Sequence, residues 1–407
     1  MKILQINSVY KQGSTGHIVA NIHSKIKDNN MVSYVAYGRG MHDEDSLIRI
    51  GNDLDMQLHA LGTRLFDKHG LYSKRITQEF IETIDKLDMD IFHLHNIHGY
   101  YLNYPILFEY LKDKKVVWTL HDCWSFTGHC SYYEYVGCDK WQTHCEQCPQ
   151  LSQYPKSYFI DNSENNFSLK KQFFTSVKDL TIITPSTWLK NEVKKSFLKH
   201  KDMRVIHNGI DLDIFQYRES SFRKNYGLEN RFIILGVANI WEERKGFKYF
   251  LKFSKLLEQD EVIVLVGLNK NQLQDLPTNI IGIERTSSAV ELAEIYSSAD
   301  VFANPTLEDN FPTTNLESLA CGTPVVTFKS GGSPECIDEQ TGYNVAKRDI
   351  EEMIDKIRDI KKNGRDSFSQ YCIERAKNYF DKEDRFLDYI KLYKTIEEKG
   401  EIKNVQQ

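Results

Sequence analysis

No apolar run in this sequence approaches the roughly 18 residues that a membrane-spanning helix needs. Basic charge is not in excess either. The formal net charge is −5 over 407 residues, which argues against a general nucleic-acid binder, whose footprint is a net basic domain. Internal repeats and low-complexity tracts are lacking, so nothing suggests a solenoid or a disordered arm. The opening MKILQINSVY has neither an apolar core of signal-peptide length nor a small-residue cleavage site. It reads instead as a strand carrying a polar Gln5 and Asn7. The expectation is a cytoplasmic protein whose thiols stay reduced. Cysteine is scarce, with eight in the chain, yet four fall within HCSYYEYVGCDKWQTHCEQCP, residues 129–149. Cys130, Cys138, Cys145 and Cys148 end in a CxxC element, which suits a structural zinc. Reduced, unliganded thiols are the alternative, and both readings stay open.

What the chain does have is alternation. KILQINSVY, VSYVAYG, DIFHLHN, KVVWTLHD and LTIITPS read as buried strands in the first half, and RFIILGVAN, EVIVLVG, NIIGIE, ADVFANP and PVVTF in the second. Helical spacing lies between them, at 54–68, 76–87, 166–178, 246–258 and 289–298. Such alternation predicts parallel sheets covered by helices on both faces. Two series of about five strands, broken near 207–231, predict two doubly wound domains. From about residue 366 onward the chain is charged and helical.

In open parallel sheets, ligands sit beyond the carboxyl ends of the strands. The first strand runs into KQGSTGHIV, where Gly13 and Gly16 allow a tight turn and a close backbone approach. The next strand ends place His95, Asn96, His98, His121 and Asp122 at one edge. The densest signal is ANPTLEDNFPTTNLESLACGTPVVTF. Pro312 stands where a helix should begin, which leaves the N–H groups of Thr313 and Thr314 for an anion. Asp309 and Glu317 lie eight residues apart, one in the loop and one in the helix. Arg244 and Lys245, just after another strand and before Gly246, supply cations suited to a diphosphate.

These residues resemble the retaining GT-B glycosyltransferases that use nucleotide sugars, in the group that builds bacterial surface polysaccharides. ANPTLEDNFPTTNLESLACGTPVV is similar to that group's acid-x7-acid segment, with Asp309 first, where glutamate is usual, and Glu317 second. RKG at 244–246, HNGID at 207–211, GSTGHIV and TLHD resemble further family segments. HLHNIHGYYLNYP, WTLHDCWSFTGHC and GCDKW…HCEQCP are similar to the colanic-acid and capsule subgroup. The resemblance implies two Rossmann-like domains facing across a cleft. Residues 1–206 would serve the acceptor, 207–380 the donor, and a helix at 381–407 would cross back to the first domain. It implies transfer of a sugar from a UDP- or GDP-sugar, with retention, to a saccharide or lipid-linked acceptor. His121, Asp309 and Glu317 would be catalytic; Gly16, Arg244, Lys245, Thr313 and Thr314 would bind the donor. No catalytic metal is required. A GT-B epimerase or a non-catalytic nucleotide-sugar binder is the alternative. Two stretches bear on the acceptor side. TRLFDKHGLYSKR mixes cations and aromatics, and the lysine-rich 188–204 offers a peripheral contact with the inner membrane face, against the commoner reading of a solvated helix packed on its sheet.

Overall fold

The computed structural model describes the backbone of residues 1–405 and the side chains of residues 1–398. Residues 1–206 together with those from Phe386 form one compact unit, and His207–Arg385 form another. The first holds seven strands: β1 (Lys2–Val9), β2 (Val32–Arg39), β3 (Leu47–Arg49), β4 (Ile91–Leu94), β5 (Lys115–Thr119), β6 (Asp179–Thr184) and β7 (Asp202–Val205). Their order is β3-β2-β1-β4-β5-β6-β7, and each neighbouring pair is parallel. The second unit holds β8 (Phe232–Val237), β9 (Glu261–Val266), β10 (Ile280–Ile283), β11 (Val301–Asn304), β12 (Val325–Phe328) and β13 (Gly342–Val345). Here the order is β10-β9-β8-β11-β12-β13, again parallel throughout. Both are doubly wound Rossmann-like sheets.

Burial follows from that architecture. A parallel sheet is covered on both faces, so its central strands run apolar without alternation. β9 is buried at all six positions, and β1 at six of eight. The sequence reading finds ten of the strands and misses β3, β7 and β13. Each of the three has only three or four residues, most of them half-exposed, so none carries a long apolar run to detect.

Strand order also fixes where ligands fit. In the first sheet the winding reverses between β1 and β4, and in the second between β8 and β11. A crevice opens at such a switch point, beyond the strands' carboxyl ends. The final helix, Lys382–Val405, buries Phe386, Tyr389, Ile390, Leu392, Tyr393 and Ile396 in one cluster with Ile3, Ile18, Ile22, Ile91, Val117 and Ile183. It thereby covers one face of the first sheet.

Candidate functional site

At the switch point of the second sheet, the chain leaving β8 and the chain leaving β11 are locked together. Glu243–Lys245 forms one 3-10 turn and Gly246 follows at φ +82°. A Cβ on Gly246 would lie 2.2 Å from the Pro305 carbonyl oxygen, so only glycine permits both the turn and the approach. The Arg244 carbonyl accepts from the N–H of Leu307 at 2.7 Å and from the Thr306 hydroxyl at 3.3 Å. The Arg244 guanidinium donates to the Glu308 carbonyl and to Glu242 Oε2. Lys245 Nζ donates to Asp309 Oδ2. Burial pushes the Asp309 carboxyl up, but Lys245 and Arg244 outweigh it and hold the group below the usual aspartate range. Behind Asp309 the glycine turn after β12 packs tightly: Gly331, at φ +55°, has no room for a Cβ beside the Asp309 carbonyl, which accepts from Gly332 N–H at 2.9 Å.

The helix Thr313–Ala320 then begins. Pro312 occupies the cap position, φ −70° and ψ 115°, one step before the helical position expected from sequence. Proline's fixed φ suits either place. No side chain caps this end, and the N–H groups of Thr313 and Thr314 bond no backbone carbonyl among the described residues. They remain donors at the positive end of the helix. One turn on, Glu317 Oε2 accepts from the Tyr296 hydroxyl at 3.0 Å, with the Thr313 hydroxyl also donating. Burial raises this carboxyl to about 7, against those two hydrogen bonds.

A buried polar network holds the frame. Asn304 at the end of β11 donates to Asn315 Oδ1 at 2.8 Å, and Asn315 Nδ2 donates to Ser333 Oγ at 3.0 Å. Ser333 Oγ lies 2.7 Å from Thr327 Oγ1, which donates to the Asn304 carbonyl. Four elements are pinned by four small polar side chains. Sequence reasoning missed them, because isolated Asn, Ser and Thr carry no spacing signal. Tyr296, from a helix preceding β11, was missed for the same reason.

In the first sheet, β4 and β5 bring the expected histidines together. His95 Nδ1 is 3.1 Å from His121 Nε2, and His95 Nε2 is 3.2 Å from Gln5 Oε1 on β1. The His95 and His121 rings stack at 14°. Burial drives His121 down to about 4, although Asp122 opposes it. Asp122 itself lies 2.9 Å from His98 Nε2. Burial works to raise its carboxyl, yet His98 and the Trp124 N–H keep it low. His98 Nδ1 meets the Tyr154 hydroxyl at 3.0 Å. Asn7 Oδ1 accepts from the Asn96 N–H at 3.1 Å, tying β1 to the end of β4. Gly16 is buried in the helix after β1, where a Cβ would crowd Val9 and the Lys11 N–H, 3.2 and 3.3 Å away.

Comparison with known proteins fits both sheets. The family described as Glycosyltransferase Family 4 matches residues 32–214, and Glycosyl transferases group 1 matches residues 231–363. The chain is a glycosyltransferase with the GT-B fold, one glycosyltransferase model matching its first sheet and the group 1 model its second. A protein of Escherichia coli K12 assigned to colanic acid biosynthesis, glycosyl transferase WcaC, is 22% identical over 383 residues, 87% of this chain and 89% of that protein. Sucrose-phosphate synthase from Thermosynechococcus elongatus superposes with a TM-score of 0.71 at 17% identity, covering 97% and 98% of the two chains. Anabaena HepE, solved in complex with UDP, gives 0.68 at 14% identity over 97% and 100%.

Two further expectations meet the glycosyltransferase structure differently. Cys130, Cys138, Cys145 and Cys148 line one small pocket with Thr127, His129 and Trp141, and none of the four forms a disulfide. The donor types suit zinc, but the arrangement does not. Among the described residues no three His, Cys, Asp or Glu side chains are grouped to hold a metal ion. The loop is held by other means: Lys170, fully buried, donates to the carbonyls of Trp124 and Thr127, and His129 pairs with buried Asp67. The 188–204 segment is helical only over Thr187–Val193. Its Leu189, Val193 and Leu198 are buried in the core of the first unit, so they are not a lipid-facing stripe. Among the described residues no helix is long and apolar enough to cross a membrane.

Proposed function

We propose that this glycosyltransferase is a retaining enzyme that takes its sugar from a UDP- or GDP-sugar. The acceptor is a saccharide or lipid-linked saccharide of bacterial surface polysaccharide synthesis. The observation that carries the donor reading is the switch point of the second sheet, where Arg244, Lys245 and two uncapped helix N–H groups stand around one loop. Cations and oriented amides are what a diphosphate requires. Lys245 and Arg244 hold the diphosphate with the amides of Thr313 and Thr314. Glu317 accepts hydrogen bonds from ribose hydroxyls, and Asp309 sits beside the transferred sugar with its charge balanced by Lys245. His121 and Gly16 act from the first unit, His121 on a sugar hydroxyl.

Chemically, the acceptor oxygen attacks the anomeric carbon as the bond to the diphosphate breaks. The departing phosphate oxygen takes the acceptor proton on the same face, so configuration is retained. The protein contributes positioning and stabilisation of the leaving charge; no step calls for a metal. The similarity to a colanic acid glycosyl transferase supports the polysaccharide setting, and the UDP complex of HepE supports the donor class. The test is turnover of a panel of UDP- and GDP-sugars with saccharide acceptors, the product's anomeric configuration being read by NMR. An α-linked product from an α-linked donor is expected. An inverted product contradicts retention, and sugar rearrangement without transfer favours an epimerase.

A further inference from the structure

Gln5 lies at the centre of β1 and is fully buried, where an amide must find partners for both its donor and its acceptor. Its orientation is fixed, because Nε2 donates to the Val19 carbonyl at 3.2 Å. Oε1 therefore faces His95 Nε2 and accepts from it. A neutral imidazole carries one N–H and one bare nitrogen. With the proton on Nε2, His95 presents a bare Nδ1 toward His121, so His121 must donate from its own Nε2 across the 3.1 Å contact. That leaves the proton of His121 on Nε2 and none on Nδ1.

We propose that Gln5 and His95 are positioning residues that set the tautomer of His121, making its Nδ1 a hydrogen-bond acceptor. The proton order runs from one fixed amide through two rings. The surroundings keep both rings neutral. His95 is flanked by His93, 4.0 Å away between ring centroids, and burial holds both of those histidines well below their ordinary values. His93 is occupied separately, by the Tyr393 hydroxyl at Nδ1 and Thr119 Oγ1 at Nε2. Asp122, next in sequence to His121, faces His98. Any ligand group that meets His121 at Nδ1 must bring a proton. That fits a sugar hydroxyl and excludes a phosphate or carboxylate oxygen. This consequence rests on the role given to His121 above; the tautomer itself does not.

The experiment uses the full chain labelled with [15N]histidine, with His121 and His95 assigned by loss of signal in His121→Asn and His95→Asn. Two-bond 1H–15N spectra should show pyrrole-type Nε2 and pyridine-type Nδ1 in both rings, unchanged between about pH 6 and 8. Gln5→Leu should blur both rings toward mixed tautomers. Gln5→Glu, which as the acid can donate to the Val19 carbonyl and still accept from His95 Nε2, should leave both tautomers as in the wild type. Gln5→Leu should lower kcat/KM for the sugar donor roughly tenfold, the loss expected for one misdirected hydrogen bond. A wild-type His121 protonated on Nδ1 overturns the proposal. So does a folded Gln5→Leu protein whose two rings are unchanged. The expected tautomers in a protein that turns over no donor uphold the relay and refute the enzyme reading instead.

Discussion

Asp309 and Glu317 stand eight residues apart in one loop and helix, yet their surroundings push them in opposite directions. Asp309 has Lys245 and Arg244 beside it and stays ionised below the usual range. Glu317 has the Tyr296 and Thr313 hydroxyls beside it, and burial lifts it to about 7. The stability consequences differ in sign. The raised carboxyl of Glu317 binds its proton more tightly in the folded protein, so its contribution declines as pH rises from about 4.5 to about 7. Glu317→Gln should flatten that part of the melting-temperature profile. Donor affinity should rise through the same window, because a carboxylate accepts from two hydroxyls where the acid accepts less well; calorimetric titration of the donor at pH 5.5 and 8 checks this. Asp309 contributes in the other sense, its share being lost as pH falls below the ordinary aspartate value. Lys245→Ala leaves that carboxylate without its cation and should cost about 2 kcal/mol of unfolding free energy. Adding Asp309→Asn should recover part of the stability but none of the donor affinity, which a denaturation and binding cycle separates.

At the scale of elements, the donor-side frame depends on close backbone approaches and on small buried amides. Gly246→Ala combines a left-handed φ with a clash at Pro305, and it should destabilise the protein by more than about 1 kcal/mol while displacing the Arg244–Lys245 turn. Asn315→Ala takes the acceptor from the buried Asn304 amide and a donor from Ser333, which keeps Thr327. A loss of roughly 1–3 kcal/mol is expected in chemical denaturation. The two glycosyltransferase mutants thus probe shape and polarity separately. The elements differ in how far sequence announces them. β1, β9 and the acid-x7-acid helix were legible because long apolar runs, a proline and a glycine turn mark them. His95 and His121 were legible as polar residues at strand ends, and Gln5 as a polar residue within a strand. Tyr296, Asn304 and Ser333 were not, since nothing in their local composition says that the fold converges on them. The cysteine loop misleads in the other direction. Its spacing suggests metal, whereas its shape is kept by Lys170 beneath Trp124 and by the Asp67–His129 pair.

For the molecule as a whole, the chain's last helix decides whether the first sheet is covered. Phe386, Tyr389, Ile390, Tyr393 and Ile396 lie against Ile3, Ile22, Ile91 and Ile183, and Tyr393 also meets His93 Nδ1 at 2.6 Å. A chain ending at residue 385 would expose that apolar face and should aggregate. Tyr393→Phe keeps the packing, loses one buried hydrogen bond, and should cost about 1–2 kcal/mol by denaturant titration. Donor recognition is the property on which the roles of Lys245 and Glu317 depend. A thermal-shift screen of UDP- and GDP-sugars against wild type, Lys245→Ala and Glu317→Gln tests it most directly. One or more donors should raise the melting temperature of the wild type, and the shift should be lost in Lys245→Ala and reduced in Glu317→Gln. No shift with any donor, or equal shifts in all three proteins, would contradict the assignment of this loop and helix as the donor site.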